Sequence, residues 1–252
     1  MGGFRSLATL AGCDEVDEQD RFISMGDVEV KRNVLLEDFT GQDCSNCPTA
    51  HEVVASLKEQ YGDAVVAVAV HVNKCFWEFR RGIREGGLML PDGNVYLSQW
   101  ANPDNVSLPT GVVNRRGGLC DYSKWSTTVR DALAEDTQVQ LSIEADSVVG
   151  KDSIAIRVHL EPGVTVNAKL QLWVTENGIV ARQRNGRQTD RKYVHNHVYR
   201  GAVNGVGGEE VSLQKDMFLD FERGVRLSLN GTSRIFLSWV LYIRKLTGYY
   251  KQ

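Results

Sequence analysis

Residues 34–48 read Val-Leu-Leu-Glu-Asp-Phe-Thr-Gly-Gln-Asp-Cys-Ser-Asn-Cys-Pro, and the reading of the fold turns on this stretch. Val34-Leu35-Leu36 opens a strand of buried type that runs to Phe39. A glycine-containing loop follows, then Cys44 and Cys47 with two residues between them and Pro48 directly behind. Proline is tolerated there if a helix begins at the cysteines, because first-turn N–H groups have no intrahelical partner. Ala50, Val53, Val54 and Leu57 then recur at helical spacing. Ala64 to Val70 contains only Val and Ala, as expected of a parallel strand buried on both faces. Strand, helix and strand in that order make one βαβ unit.

A Cys-x-x-Cys after a buried strand and at the start of a helix resembles thioredoxin-like proteins. Cys44 at the helix N-terminus would sit where unpaired N–H groups and the macrodipole favour a thiolate. Cys47, within the first turn, could resolve a mixed disulfide. Asp38 lies six residues before Cys44, the spacing of the buried thioredoxin carboxylate that relays a proton to the second cysteine. Pro109, between Leu108 and Thr110-Gly111-Val112-Val113, matches the cis-proline that opens a strand facing the dithiol. The resemblance therefore makes Cys44, Cys47, Asp38 and Pro109 the candidate catalytic set. One departure is Asp43 in place of the tryptophan usual before the first cysteine. An anion there should raise the Cys44 pKa and favour reducing or isomerising chemistry. The same residues allow other readings: a stable Cys44–Cys47 disulfide or inert dithiol, or zinc held by Cys44, Cys47, His51 and either His71 or Cys75. No metal and no cofactor is expected.

Downstream, residues 73–105 are irregular, with a short helix expected over Val95–Trp100. A strand is expected over Thr110–Asn114 and a helix over Tyr122–Ala134, with Trp125, Val129 and Leu133 on one face. The grammar changes near Asp136-Thr137. Strand candidates without helices follow: Val139–Ile143, Ser153–Leu160, Lys169–Val174, His195–Val203, Glu210–Leu213, Gly224–Leu229 and Ile235–Ile243. The basic stretch Arg182–Lys192 reads as a solvated loop. His195 and His197 alternate at strand spacing and should share a face. Cys75 and Cys120 are either a pair or small buried apolar residues. The expected organisation is a tether over 1–29, a thioredoxin-like α/β domain over 30–136, and an antiparallel immunoglobulin-like β-sandwich over 137–252.

Composition narrows the classes. The 252 residues are 42% hydrophobic and 24% charged, with a net charge of −3, which excludes disorder and collagen-like structure. No overall basic field is present to hold nucleic acid. Leu10-Ala11-Gly12-Cys13 resembles a bacterial lipobox, followed by the acidic run Asp14, Glu15, Asp17, Glu18 and Asp20. In lipoproteins of the Bacteroidetes type such a run resembles a surface-export signal. A lipid on Cys13 would be the membrane attachment.

Leu35–Gly41 leading into Cys44-x-x-Cys47-Pro48 and Ala50-His51, Pro109-Thr110-Gly111 with Val113-Asn114-Arg115, and Tyr193–Val198 together resemble the Bacteroidetes 28-kilodalton outer-membrane lipoprotein family. The resemblance runs from about residue 30 onward. It implies a thioredoxin-like domain followed by an immunoglobulin-like one on an outer-membrane lipid anchor, with an adhesin or receptor role. Two functions compete: thiol–disulfide exchange with a protein partner, and a surface binding module in which the cysteine pair is structural. An exposed Cys44 beside an apolar groove would favour the first; a buried or bridged one would favour the second.

Overall fold

A computed structural model describes residues 31–72, 87–147 and 153–226, together with the backbone of 234–242. The tether over 1–29, Cys13 and Cys75 lie outside the described residues. The first half contains β1 (Val34–Thr40), α1 (Cys47–Tyr61), β2 (Val65–His71), α2 (Pro91–Ser98), β3 (Thr110–Val113), β4 (Arg116–Cys120) and α3 (Trp125–Leu133). β1 runs parallel to β2 on one side and antiparallel to β3 on the other, and β4 continues from β3. The short helix begins at Pro91 rather than Val95, because Pro91 suits a first helical position where no N–H is needed.

Every residue of β1 is buried, so its side chains alternate between two cores. Val34 and Leu36 face α1 and α3, where they meet Val54, Leu57, Trp125, Val129 and Leu133. Leu35 and Phe39 face the opposite core with Tyr96 and Leu97 of α2. The two acids of β1 divide in the same way. Glu37 falls on the α2 side, where the Arg115 guanidinium grips both its oxygens at 2.8–3.2 Å. Asp38 falls on the α1 side. Gly111 is needed opposite Asp38: a Cβ there would lie 2.7 Å from the Glu37 carbonyl oxygen and 2.7 Å from the Trp125 ring.

The second half consists of strands among the described residues: β5 (Val139–Ser147), β6 (Ser153–Pro162), β7 (Val166–Asn177), β8 (Ile179–Asn185), β9 (Gln188–His195), β10 (Val198–Ala202), β11 (Glu209–Leu213), β12 (Leu219–Arg226) and β13 (Arg234–Tyr242). β12, β6 and β5 form a separate antiparallel sheet. Its Ile156, Val158 and Leu160 pack on Ala168, Leu170, Leu172, Val211 and Leu213 of β7 and β11, giving a sandwich core. β7 does more than close that sandwich. One edge carries β13, the other carries β11 and β10 end to end, and β10 lies parallel to β2. A single mixed sheet thus passes from β4 through β1 and β2 into the strands of the second half. Trp173 and Tyr199 from that half enter the core of Leu35, Phe39 and Tyr96, and the Trp173 indole N–H donates to Tyr96 Oη at 2.9 Å.

Three expectations are corrected here. Arg182–Lys192 is not a loop: it spans the ends of the β8–β9 hairpin, whose two-residue connection Gly186-Arg187 has Gly186 at φ +56°. The strand expected over His195–Val203 is broken at Asn196-His197, where His197 has φ +57° and the chain turns from β9 into β10. His195 and His197 therefore belong to different segments and do not alternate along one strand. The strand expected over Gly224–Leu229 begins earlier, at Leu219, and its last residues lie outside the described ones.

Candidate functional site

The Leu108–Pro109 bond is cis and opens β3 beside β1. Cys44 and Cys47 form a disulfide at the start of α1, with their Cα atoms 5.5 Å apart. Pro48 follows in the first turn, and Asn46 occupies the N-cap without a side-chain bond that caps the helix. With both sulfurs in a bond to each other, neither is a zinc ligand. Among the described residues no group of three metal-ligating side chains converges.

The disulfide is covered. Cys44 is 4% exposed and Cys47 fully buried. The cover is the β8–β9 hairpin, tied to the cysteine loop by backbone and side-chain bonds. Arg184 N–H donates to the Gln42 carbonyl at 2.8 Å, and Gly186 N–H to the Ser45 carbonyl at 3.0 Å. The buried Gln183 amide donates to the carbonyls of Gly41 at 3.2 Å and Cys44 at 3.0 Å. Gln42 returns a bond to the Arg182 carbonyl at 3.0 Å and accepts from Leu88 N–H at 3.1 Å. Asp43, expected to oppose a Cys44 thiolate, faces Arg182 at 3.4 Å, so its charge is met by a guanidinium.

Gln183 and Arg182 are the site residues that the sequence reading missed. Removing the Gln183 amide would leave the buried Gly41 and Cys44 carbonyls without that donor. Gln183→Ala is expected to cost about 1–3 kcal/mol, read from urea unfolding.

Asp38 sits on the α1 side, 2% exposed, and neither of its oxygens has a hydrogen-bond partner among the described residues. Burial pushes its carboxyl up to about 8. His51 Nε2 lies 3.6 Å from Oδ2, beyond hydrogen-bond reach. His51 shares its own hydrogen bonds elsewhere: Thr40 Oγ1 lies 3.1 Å from Nε2 and Tyr193 Oη 2.8 Å from Nδ1. His195 and His71 complete an aromatic group around it, with ring centroids 6.4 Å (His51–His195) and 5.6 Å (His71–His195) apart. Burial brings His51, His195 and His197 each down to about 4, and His71 well below its usual range.

These shifts fix a pH dependence. Each histidine is neutral in the folded chain but protonates near 6.5 when unfolded, so stability falls as pH drops below about 6.5. Asp38 works the other way: folded it keeps its proton to about 8, unfolded it loses it near 4, so it costs stability as pH rises. Stability should rise from pH 5 to a maximum near pH 7, above which the histidine gain fades and the Asp38 cost produces a modest decline toward pH 9. Asp38→Asn should abolish that decline, measured by urea midpoints across pH 5–9.

Cys120 carries a free, half-buried thiol at the end of β4; burial raises its pKa, and no pairing is seen among the described residues.

A mixed sheet carrying helices, joined to antiparallel strands and holding a buried Cys-x-x-Cys disulfide, defines the class. The chain belongs to the Omp28 family of outer membrane proteins, whose family model matches residues 96–235. The matched stretch includes Pro109, the covering hairpin and Tyr193–Val198, while Cys44 and Cys47 lie ahead of it. No curated protein matches the chain. Among solved structures it is similar to HBP35 of Porphyromonas gingivalis, at TM-score 0.61 and 17% identity over 84% of this chain and 70% of that one. It is also similar to the protein AGR_C_4864 of Agrobacterium tumefaciens, at TM-score 0.51 and 16% identity over 78% and 80%. At these identities the likeness is one of fold. Among the described residues no helix is long and apolar enough to cross a membrane.

Proposed function

We propose that this outer membrane protein is a binding module of adhesin or receptor type in which the Cys44–Cys47 disulfide is structural. The observation that carries the reading is the burial of both cysteines under the β8–β9 hairpin. A thiol–disulfide exchanger must present its attacking sulfur to a partner. Here the loop that carries the first cysteine is held by the chain's own Gln183 side chain and Arg184 backbone N–H. We read residues 30–136 as a thioredoxin-like domain kept as a scaffold, 137–252 as an immunoglobulin-like sandwich, and Cys13 as the lipid-bearing residue.

A second reading has its own support. Cis-Pro109, a buried Asp38 with a raised pKa and a cysteine pair at a helix start are the parts an exchanger uses. In that reading the hairpin swings away and a thiol donor first reduces the pair to a dithiol; the Cys44 thiolate then attacks a partner disulfide, bonding one partner sulfur and expelling the other as a thiolate. Cys47, deprotonated through Asp38, then attacks Cys44, re-forms the internal disulfide and leaves the partner reduced. The test is trapping on the full chain carrying Cys47→Ser, with a model disulfide and mass mapping to Cys44. The structural role predicts a Cys44 adduct only in denaturant. Accumulation of that adduct under native conditions would establish exchange instead.

A further inference from the structure

Between α1 and the far edge of β2 lies a cavity of about 230 Å³. Its origin is visible in the side-chain sizes. On the α1 side of the sheet, β1 and the start of β2 offer Val34, Leu36 and Val65, but β2 then offers Ala67 and Ala69. Ala55 of α1 faces them, so the space is left unfilled. β10 adds little, because its described pairing with β2 is the single register pair Val198–Ala69. The remaining wall is Tyr193 and Val194 of β9 with Asn196 and His197 of the turn.

This apolar chamber has one buried acid in it: Asp38, with two oxygens that accept no hydrogen bond. A buried acceptor left without a donor costs free energy that a donor-bearing guest recovers. We propose that the cavity is a binding site for a guanidinium or ammonium head carried on a short alkyl stem. The fork of a guanidinium matches two buried carboxylate oxygens that lack a donor, and the stem would lie against Val54, Ala55 and Ala67. The volume suits one group of side-chain size, below the roughly 300–1,000 Å³ of drug-sized pockets.

The charges around Asp38 favour a cation. From α1, His51 is neutral at neutral pH and Glu52 adds a second carboxylate at the rim. From β9 comes Tyr193, a neutral phenol raised to about 12; from the turn comes His197, also neutral. Lys58, the cation of that helix face, donates to the Val65 carbonyl at 3.0 Å and pairs with Asp63 at 3.6 Å. Binding draws Asp38 into its carboxylate form and releases a proton, so apparent affinity should weaken about tenfold per pH unit below 8.

This inference deepens the binding-module reading by naming a ligand class, and its test leaves the disulfide untouched, so the two can fail separately. Butylguanidinium is titrated by calorimetry into the full disulfide-bonded chain at pH 8, 7 and 6, with butylurea as the neutral control. Asp38→Asn should weaken butylguanidinium at least tenfold while remaining folded, and Ala67→Leu, which fills the chamber, should abolish binding. Acetyl-Gly-Arg-Gly-amide separates the sources: tighter binding than butylguanidinium assigns the site to an arginine of a protein segment, equal or weaker binding to a free small cation. No binding of butylguanidinium at pH 8, equal binding to Asp38→Asn, or equal binding of butylurea would each overturn the proposal.

Discussion

Arg115→Ala is expected to destabilise the protein by about 3–5 kcal/mol, because it leaves the Glu37 carboxylate buried without its partner. Glu37 is completely buried in the middle of β1, and Arg115 reaches it with two nitrogens. Burial raises the Glu37 pKa, and the Arg115 charge works against that shift. The guanidinium also lies over the rings of Tyr96 and Trp173, 5.4 and 5.5 Å from their centroids, so its loss removes packing from both halves. Urea unfolding of Arg115→Ala and of Arg115→Met/Glu37→Leu checks the cause. The double variant should recover most of the loss, since replacing a buried ion pair by apolar groups is often close to neutral.

Trp173→Ala should cost about 3–5 kcal/mol by the usual cost of emptying a large core site. The site of the loss matters more than its size. Trp173 belongs to β7, yet its ring packs with Tyr96, 5.1 Å between centroids, and with Tyr199, 5.8 Å, in the core beneath β1. Tyr199 in turn donates to Asp92 at the start of α2, at 2.7 Å. If one sheet joins the halves, unfolding of the helices and of the sandwich strands should coincide. Both should move together in Trp173→Ala. Far-ultraviolet circular dichroism and hydrogen exchange, followed through one urea titration, read the two halves separately. Two separated transitions in the native protein would contradict the shared sheet.

Much of the first half is legible in the sequence because its signals are local. An uninterrupted apolar strand, a Pro just inside a helix and helical spacing of Ala50, Val54 and Leu57 need no knowledge of distant residues. The change from helix-bearing to strand-only sequence after α3 is legible for the same reason. The covering hairpin carries a signal as well: Gly186-Arg187 is a glycine-first two-residue turn of the kind that joins hairpin strands. It is masked by Arg182, Arg184, Arg187, Arg191 and Lys192, whose charges read as solvent-facing while Ala181 before them and Gln183 between them turn inward. Gln183 itself carries no such signal, since its role depends on carbonyls about 140 residues earlier in the chain. The passage of the sheet from β2 to β10 is equally illegible, because it rests on one pairing between residues far apart in sequence. The cavity beside Asp38 follows from small residues that, read alone, are ordinary strand alanines.

The central claim is that Cys44–Cys47 is a structural disulfide, and the reduction potential of the pair in the native full chain tests it most directly. Equilibration against defined dithiothreitol ratios, with quenching and mass analysis of Cys44 and Cys47, gives the value. A structural role predicts a potential more negative than about −300 mV, with the bond intact at glutathione-like potentials. A potential between about −120 and −270 mV, the range of dedicated thiol–disulfide exchangers, would contradict the account and make the hairpin a gate over an active site.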